Sequence, residues 1–282
     1  MLELLLGPVI APAVVTGILC LIAGRLGSDR AAAALAGLGL ALSVVAAFLV
    51  LKGMPPLPPV AAGQKVFVCA VLGGLLVAVC ALATGLSSVV STVSLIGAAG
   101  GVYWIAERYI GRADTMDWIT LGAYAAAMLA AFWSVGFGSG PAPAARARLG
   151  VASAGLAGVC MLSGNTILGF SAIALAVGFA ASMLAEGRRS GALAGAAITC
   201  AGFIVFSLLA AQTALFGRID PLPLVLVALI APLGGLAELA GWRADTRGLA
   251  FLATIKLAMP PAVIAGAAIA ASYYTGGGSP YG

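Results

Sequence analysis

The sequence contains no histidine and very few charged residues. Only 8% of its 282 residues are charged and 62% are hydrophobic, with a mean hydropathy of +1.15. Soluble domains carry about 25% charged residues, so this composition excludes a water-soluble protein. The absence of histidine removes the commonest zinc ligand, the usual haem ligand and the default general base. The few charges form short clusters between long apolar runs, a pattern that excludes a nucleic-acid partner. The composition therefore predicts an all-α, polytopic transmembrane helical bundle with no soluble domain.

The apolar runs are long enough to predict about ten transmembrane helices in a single membrane domain, residues 1–282. A helix needs about 20 apolar residues to cross the hydrocarbon core of a bilayer. Cutting the chain at its charges and turn residues gives spans 4–24, 31–52, 65–84, 87–106, 118–138, 149–163, 167–185, 191–216, 221–241 and 249–272. Segment 149–185 leaves two alternatives open: two helices joined by a turn at residues 163–166, or one helix with a re-entrant stretch. We predict two helices, because the single-helix alternative abolishes the charge asymmetry between the two sides of the membrane.

Basic residues are distributed unequally between the two sides of the predicted bundle. One side receives Arg25, Arg30, Arg146, Arg148, Arg188, Arg189, Arg243 and Arg247. The other side receives Lys52, Lys65, Arg108, Arg112 and Arg218. Because the cytoplasmic side of a membrane protein carries the excess of Lys and Arg, the first side is predicted to be cytoplasmic. Both termini are then outside, and the protein is predicted to be a multi-pass protein of an inner or plasma membrane.

Small residues recur at helical spacing in two of the predicted spans. The stripes consist of Ser87, Ser91, Ser94, Gly97 and Gly101 in one span and of Gly191 and Gly195 in another. Such stripes let helix backbones approach closely in lipid, where the hydrophobic effect no longer drives helices together. A hydroxyl-lined path is the alternative interpretation of the serines. We predict helix packing.

Two charged residues fall inside the predicted spans and are candidates for an ion or proton path. Lys256 lies about 10 Å from the cytoplasmic end of its span, and Glu238 about 5 Å from the same end of the preceding span, at 1.5 Å per residue. Pro260 and Pro261 follow Lys256 by one turn and interrupt the helical hydrogen bonds near it. These residues suggest a protonatable lysine paired with Glu238. The alternative is that Lys256 extends along its own aliphatic stem to the cytoplasmic surface.

Two amide residues near the outer face are candidates for a solute site. Asn165 is predicted to cap the turn within segment 149–185, and Gln212 lies about 6 Å from the outer end of its span. The outer segment Met54–Pro59 carries four prolines and is predicted to be stiff, either as a docking surface for a partner or as a rigid spacer.

The sequence offers no residues suited to catalysis or to holding a cofactor. None of the 5 cysteines belongs to a CxxC pair, and all of them lie inside predicted spans, as expected for small packing residues. Metal-ligand clusters and facing pairs of carboxylates are also missing. We therefore predict no cofactor and no catalytic activity of its own.

Parts of the chain resemble the antiporter-like membrane subunits of respiratory complex I, of membrane hydrogenases and of Mrp complexes. The stretch LLGPVIAPAVVTGILCLIAGR at 5–25, with the Ala/Leu run 31–50, resembles the first two helices of that family. Residues 117–163, with Phe132-Trp133 and AARARLGVASAG at 144–155, are similar to its fifth and sixth helices. Lys256 followed by Pro260-Pro261 is similar to its broken, lysine-bearing helices. The resemblance implies an ion-translocating membrane subunit with its N-terminus outside.

The chain departs from that family in three ways. Span 118–138 carries no glutamate, the loop with a histidine is missing, and the chain is shorter by several helices. The resemblance therefore implies a degenerate member with a structural role. Our prediction is an integral subunit of a multi-subunit membrane complex. The alternative is a stand-alone secondary transporter or channel for a small solute or ion. The expected partners are the lipid bilayer and other membrane subunits, with structural lipids or quinone as further candidates and no nucleic acid.

Overall fold

The computed structural model of the chain describes residues 6–111, 115–133, 142–186, 191–216, 221–239 and 250–275 as an all-helical bundle. A π-helical turn, Leu6–Ile10, leads directly into the first α-helix. The α-helices are α1 (Ala11–Ala23), α2 (Asp29–Lys52), α3 (Ala62–Thr84), α4 (Ser87–Ile110), α5 (Thr115–Phe132), α6 (Ala142–Leu162), α7 (Thr166–Glu186), α8 (Ala192–Phe216), α9 (Pro221–Leu239) and α10 (Ala250–Thr275). The described residues contain no strand, and the all-α prediction is confirmed.

Six of the described helices are long and apolar enough to cross a membrane, which is compatible with a membrane-embedded protein. They cover residues 29–52, 62–84, 87–110, 144–162, 166–185 and 192–216. Three shorter apolar stretches cover residues 7–23, 121–132 and 261–274, of which the second lies within α5 and the third within α10. The number of ten membrane crossings therefore stays a prediction. Segment 149–185 contains two helices, α6 and α7, separated by a tight turn in which Gly164 has a φ of +78°.

Local sequence signals set the helix ends. Ser28 caps α2, since its hydroxyl oxygen accepts a hydrogen bond of 3.5 Å from the backbone N–H of Ala31. Asp29 in the first turn of α2 and Lys52 in its last turn both oppose the helix dipole. Helix α3 ends at Gly85, which takes the left-handed conformation (φ +67°) that glycine adopts without a Cβ clash.

Helix α8 forms the centre of the bundle. It packs against α2, α3, α4, α6 and α7, and it is the most buried of the six helices that could span a membrane. Its side chains Phe203, Phe206 and Leu208 are almost completely buried. A methyl group at Gly202 would overlap the ring of Phe179 on α7, so the Phe179 ring packs directly against the backbone of α8 at this glycine. A glycine at this position allows the close approach that larger residues would prevent.

Large apolar side chains remain exposed on the perimeter. On α1 they include Val14, Ile18 and Leu21, and on α3 they include Leu72 and Val79. In a lipid bilayer these faces would contact acyl chains. Helix α5 lies at the edge of the bundle, where it packs mainly against α9 and touches α8.

Candidate functional site

A cavity of about 340 Å³ opens at one end of the bundle, which we call the cavity end. Its walls come from the last turns of α2, the connection between α2 and α3, the first turns of α3 and α7, and the outer part of α8. The polar lining residues are Lys52, Gln64, Asn165, Ser171 and Gln212. Apolar walls are formed by Phe48, Met54, Pro55, Pro56, Val66, Ile167, Leu168 and Leu209. The cavity therefore combines several hydrogen-bonding groups with a large apolar surface, as small-molecule sites usually do.

Asn165 and Gln212, which the sequence suggested separately as solute-site candidates, both line this cavity. Asn165 lies in the turn just before α7. Its backbone carbonyl oxygen accepts a 3.0 Å hydrogen bond from the backbone N–H of Gly169. Gln212 lies on α8, and its amide nitrogen would be 3.4 Å from a methyl group at Gly63. Close packing of α3 on α8 at this glycine is what places the Gln212 side chain in the wall.

The Oε1 atom of Gln212 is buried and has no hydrogen-bond partner among the described residues. A buried acceptor without a partner is destabilising, so most such groups in proteins are paired with protein, water or ligand. Gln64, the other glutamine of the lining, is already engaged. Its Oε1 accepts hydrogen bonds from the N–H groups of Val60 and Ala61 at 2.9 and 3.1 Å and so caps α3.

Lys65 forms a second buried polar cluster close to this cavity. Its ammonium group donates a 2.7 Å hydrogen bond to the carbonyl oxygen of Trp104 and lies 3.5 Å from a carboxylate oxygen of Glu107. It also stands 5.4 Å from the centre of the Trp104 ring, within cation–π range. The sequence predicts Lys65 as the first residue of span 65–84, on the outer side, and gives no sign that its side chain is buried. Helix α3 begins at Ala62, so Lys65 lies in its first turn and is 6% exposed.

Arg146 and Arg148 also differ from their predicted position. The sequence placed both in a cytoplasmic connection, but α6 already begins at Ala142 and both side chains are 3% exposed. The Nε of Arg148 donates a 3.3 Å hydrogen bond to the carbonyl oxygen of Ala144. Both arginines have further interaction partners. Ending span 118–138 before these arginines and starting span 149–163 after them hid this possibility, because a charge with partners can be accommodated inside a helix bundle.

The small-residue stripe of α4 is partly buried against neighbouring helices. Ser91 meets the sulfur of Cys200 at 3.6 Å, and Ser94 donates a 2.6 Å hydrogen bond to the carbonyl of Val90 on its own helix. Methyl groups at Gly97 and Gly101 would come within 3.0 Å of Leu76 and 2.6 Å of Leu208. These are contacts of helix packing. Ser87, at the start of the stripe, is exposed.

The second stripe lies at the start of α8. Gly195 is buried, and its carbonyl oxygen accepts a 2.8 Å hydrogen bond from Thr199. Gly191 is exposed and precedes the helix, with the carboxyl group of Asp29 nearby.

Glu238 and Lys256 lie on α9 and α10, two helices that pack against each other. Their side chains lie outside the described residues, so the ion pair between them stays a prediction. Among the described residues, no group of three or more Cys, Asp or Glu side chains could hold a metal ion. No protein family model, no curated protein and no solved structure matches the chain.

Proposed function

We propose that the chain is an integral membrane subunit of a multi-subunit complex and that α5 forms the contact with a neighbouring subunit. The observation that supports this proposal is the composition of the exposed face of α5. Gly122, Ala123, Ala125, Ala126 and Ala130 are all exposed, and they form a row of small residues between the larger exposed side chains of Ile119, Leu129 and Trp133. A methyl group at Gly122 would meet no atom within 4 Å. In lipid, faces of small residues are typical of helix–helix interfaces, since they let two backbones approach closely.

The attachment of α5 to the rest of the chain is consistent with an interfacial role. Helix α5 packs mainly against α9 rather than along α4, its neighbour in sequence. Its links to the central helix α8 include a 2.6 Å hydrogen bond from the Tyr124 hydroxyl to the carbonyl oxygen of Ser207 and a ring contact between Phe132 and Phe203, whose centroids are 5.3 Å apart. A second transmembrane helix packed on the small-residue face would bury α5 on both sides.

The resemblance to antiporter-like subunits supports the same proposal. Segments 5–50 and 117–163 and the Lys256–Pro261 stretch carry that resemblance, and members of the family work inside larger membrane complexes. Since the glutamate and histidine of the family are missing, we propose a structural member that has lost ion translocation. The predicted orientation, with both termini outside, agrees with the family.

The alternative function is a stand-alone transporter or channel for a small solute or ion. The cavity favours it, because a carrier needs a solute site. The centre of the bundle does not favour it, since the middle of α8 is mainly apolar, with Ile204, Val205 and Phe206 buried and Ser207 as the neighbouring buried polar residue. A transport path normally brings several polar groups together at mid-membrane. We therefore favour the subunit over the carrier.

Native mass spectrometry of the protein extracted from its own membrane in mild detergent tests the proposal. We expect a stable assembly with other polypeptides. Gly122→Leu should dissociate it, because the larger side chain separates the two helix backbones. Val79→Leu is the matched control, since it also enlarges an exposed apolar side chain, on α3. Release of the wild-type chain alone or as a homodimer would contradict the proposal and favour the carrier.

A further inference from the structure

The described residues that line the cavity carry positive but no negative charge. Of the described residues that line it, one is a lysine, three carry amides and none is an aspartate or glutamate. Lys52 supplies the positive charge from the last residue of α2, and its side chain is exposed to the cavity end. A cavity with an ammonium group and amide donors, and without a carboxylate, favours an anionic ligand over a cation.

Two helix starts strengthen this preference. The first turns of α3 and α7 both contribute lining residues, namely Gly63 and Gln64 from α3 and Ile167 and Leu168 from α7. The first N–H groups of an α-helix have no acceptor within the helix, and the dipole makes this end partly positive. Both helix starts therefore favour an anion, and they offset the partly negative carbonyl ends of α2 and α8, which also reach this cavity.

Gln212 requires a ligand that also carries a hydrogen-bond donor. Its buried Oε1 accepts no hydrogen bond from the described residues, so it needs a donor. An anion with acceptor oxygens alone, such as sulfate, cannot supply one. A ligand with both an anionic group and a hydroxyl group satisfies Lys52 and Gln212 together.

The surroundings of the cavity are apolar. In the connection between α2 and α3, Met54 and Leu57 are 80% and 78% exposed, and Val60 is also exposed. Apolar side chains at the end of a transmembrane bundle are suited to the boundary between headgroups and acyl chains. The cavity thus lies where a lipid headgroup could reach it as well as a dissolved solute.

We propose that this cavity binds a small hydroxylated anion of the phosphoglycerol class. The phosphate lies against Lys52 and the starts of α3 and α7, and a hydroxyl donates to Gln212. A volume of about 340 Å³ is sufficient for a group of this size. Free glycerol 3-phosphate and the headgroup of phosphatidylglycerol both have this chemistry. This site is independent of whether the chain belongs to a complex.

Binding to the purified full-length protein tests the proposal. Isothermal titration uses glycerol 3-phosphate, with glycerol as the uncharged control. Native mass spectrometry uses dioleoyl phosphatidylglycerol, with dioleoyl phosphatidylcholine as the control. Lys52→Gln and Gln212→Leu should each weaken binding about tenfold, as expected for the loss of a charge-assisted or buried hydrogen bond. Arg108→Gln is the matched control, because it removes an exposed charge that does not line the cavity.

The outcomes separate the two sources of the ligand. Saturable binding of glycerol 3-phosphate that weakens in both cavity variants assigns the site to a free solute. Retention of phosphatidylglycerol alone, with the same response, assigns it to a lipid. Failure of both probes to bind the wild-type protein would overturn the proposal. An equal loss in Lys52→Gln and Arg108→Gln would also overturn it, since binding would then follow overall charge. The unfolding temperature of Gln212→Leu without ligand is measured as well. A value equal to or above that of the wild-type protein shows that the variant is folded and that its weaker binding is a defect of the site.

Discussion

The ammonium group of Lys65 on α3 donates a 2.7 Å hydrogen bond to the carbonyl oxygen of Trp104 on α4. The two residues are 39 positions apart and connect the start of one helix to the last turns of the next. The Trp104 ring adds a cation–π contact at 5.4 Å, and Glu107 adds an ion pair at 3.5 Å. The carbonyl and the ring face a buried ammonium group, whereas the carboxyl side chain of Glu107 is 59% exposed.

Lys65→Met should lower the free energy of unfolding by about 1.5–3 kcal/mol, the usual contribution of a hydrogen bond to a charged group. Glu107→Gln should change it by about 0–1 kcal/mol, because an exposed ion pair is screened by water and salt. Thermal or SDS-induced unfolding of both variants in the same detergent measures the difference. Equal losses in the two variants would mean that the ion pair, and not the bond to Trp104, stabilises this contact.

Gly202→Ala should destabilise the bundle by about 1–3 kcal/mol, the range for an overpacked core. The added methyl group would overlap the rigid ring of Phe179 and come within 2.7 Å of Leu40. Gly100→Ala is the matched control, since a methyl group there meets no atom within 4 Å. Unfolding temperatures of the two variants provide the test. A wild-type value for Gly202→Ala would contradict the close contact between α7 and α8.

Tyr124→Phe should loosen α5 without unfolding the rest of the protein. The substitution removes the hydrogen bond to the carbonyl oxygen of Ser207, a loss of about 1 kcal/mol, and keeps the ring. Hydrogen–deuterium exchange should therefore increase over residues 115–132 and stay unchanged in α8. Faster exchange in both helices would indicate that α5 supports the central packing and is not a peripheral element.

Cysteine labelling should report the predicted orientation. In a variant without its native cysteines, Met54→Cys is expected to react with a membrane-impermeant maleimide in intact cells. Gly27→Cys should react only after permeabilisation, because its connection belongs to the side with more basic residues. Both positions are exposed in the structure, so access to the reagent depends on the membrane alone. The reverse labelling pattern would contradict the assignment of both termini to the outside.

The helical character of the chain could be predicted because long apolar runs without turn residues leave few other structures in lipid. The turn at Gly164 and Asn165, for example, interrupts an uncharged segment at glycine and asparagine, both of which favour turns. The number of membrane crossings stays a prediction.

The buried charges could not be predicted in the same way. Lys65, Arg146 and Arg148 were assigned to boundaries because an isolated charge is costly in lipid. Their burial depends on partners far away in sequence, such as the Trp104 carbonyl, and no local pattern reveals these. Asn165, in the turn of segment 149–185, and Gln212, near the outer end of its span, are predicted from the sequence as separate candidates for a solute site. Asn165 and Gln212 line the same cavity because α7 packs against α8, and the sequence does not reveal this packing.

The central position of α8 also constrains how the protein is made. Helices leave the ribosome in chain order, so α2, α3 and α4 are made well before residues 192–216 are synthesised. Each of these helices packs against α8 in the finished bundle. The surfaces that later contact α8 must therefore face lipid or a chaperone until α8 arrives. A chain truncated before Ala192 would contain five helices, α2, α3, α4, α6 and α7, that lack the helix against which they all pack.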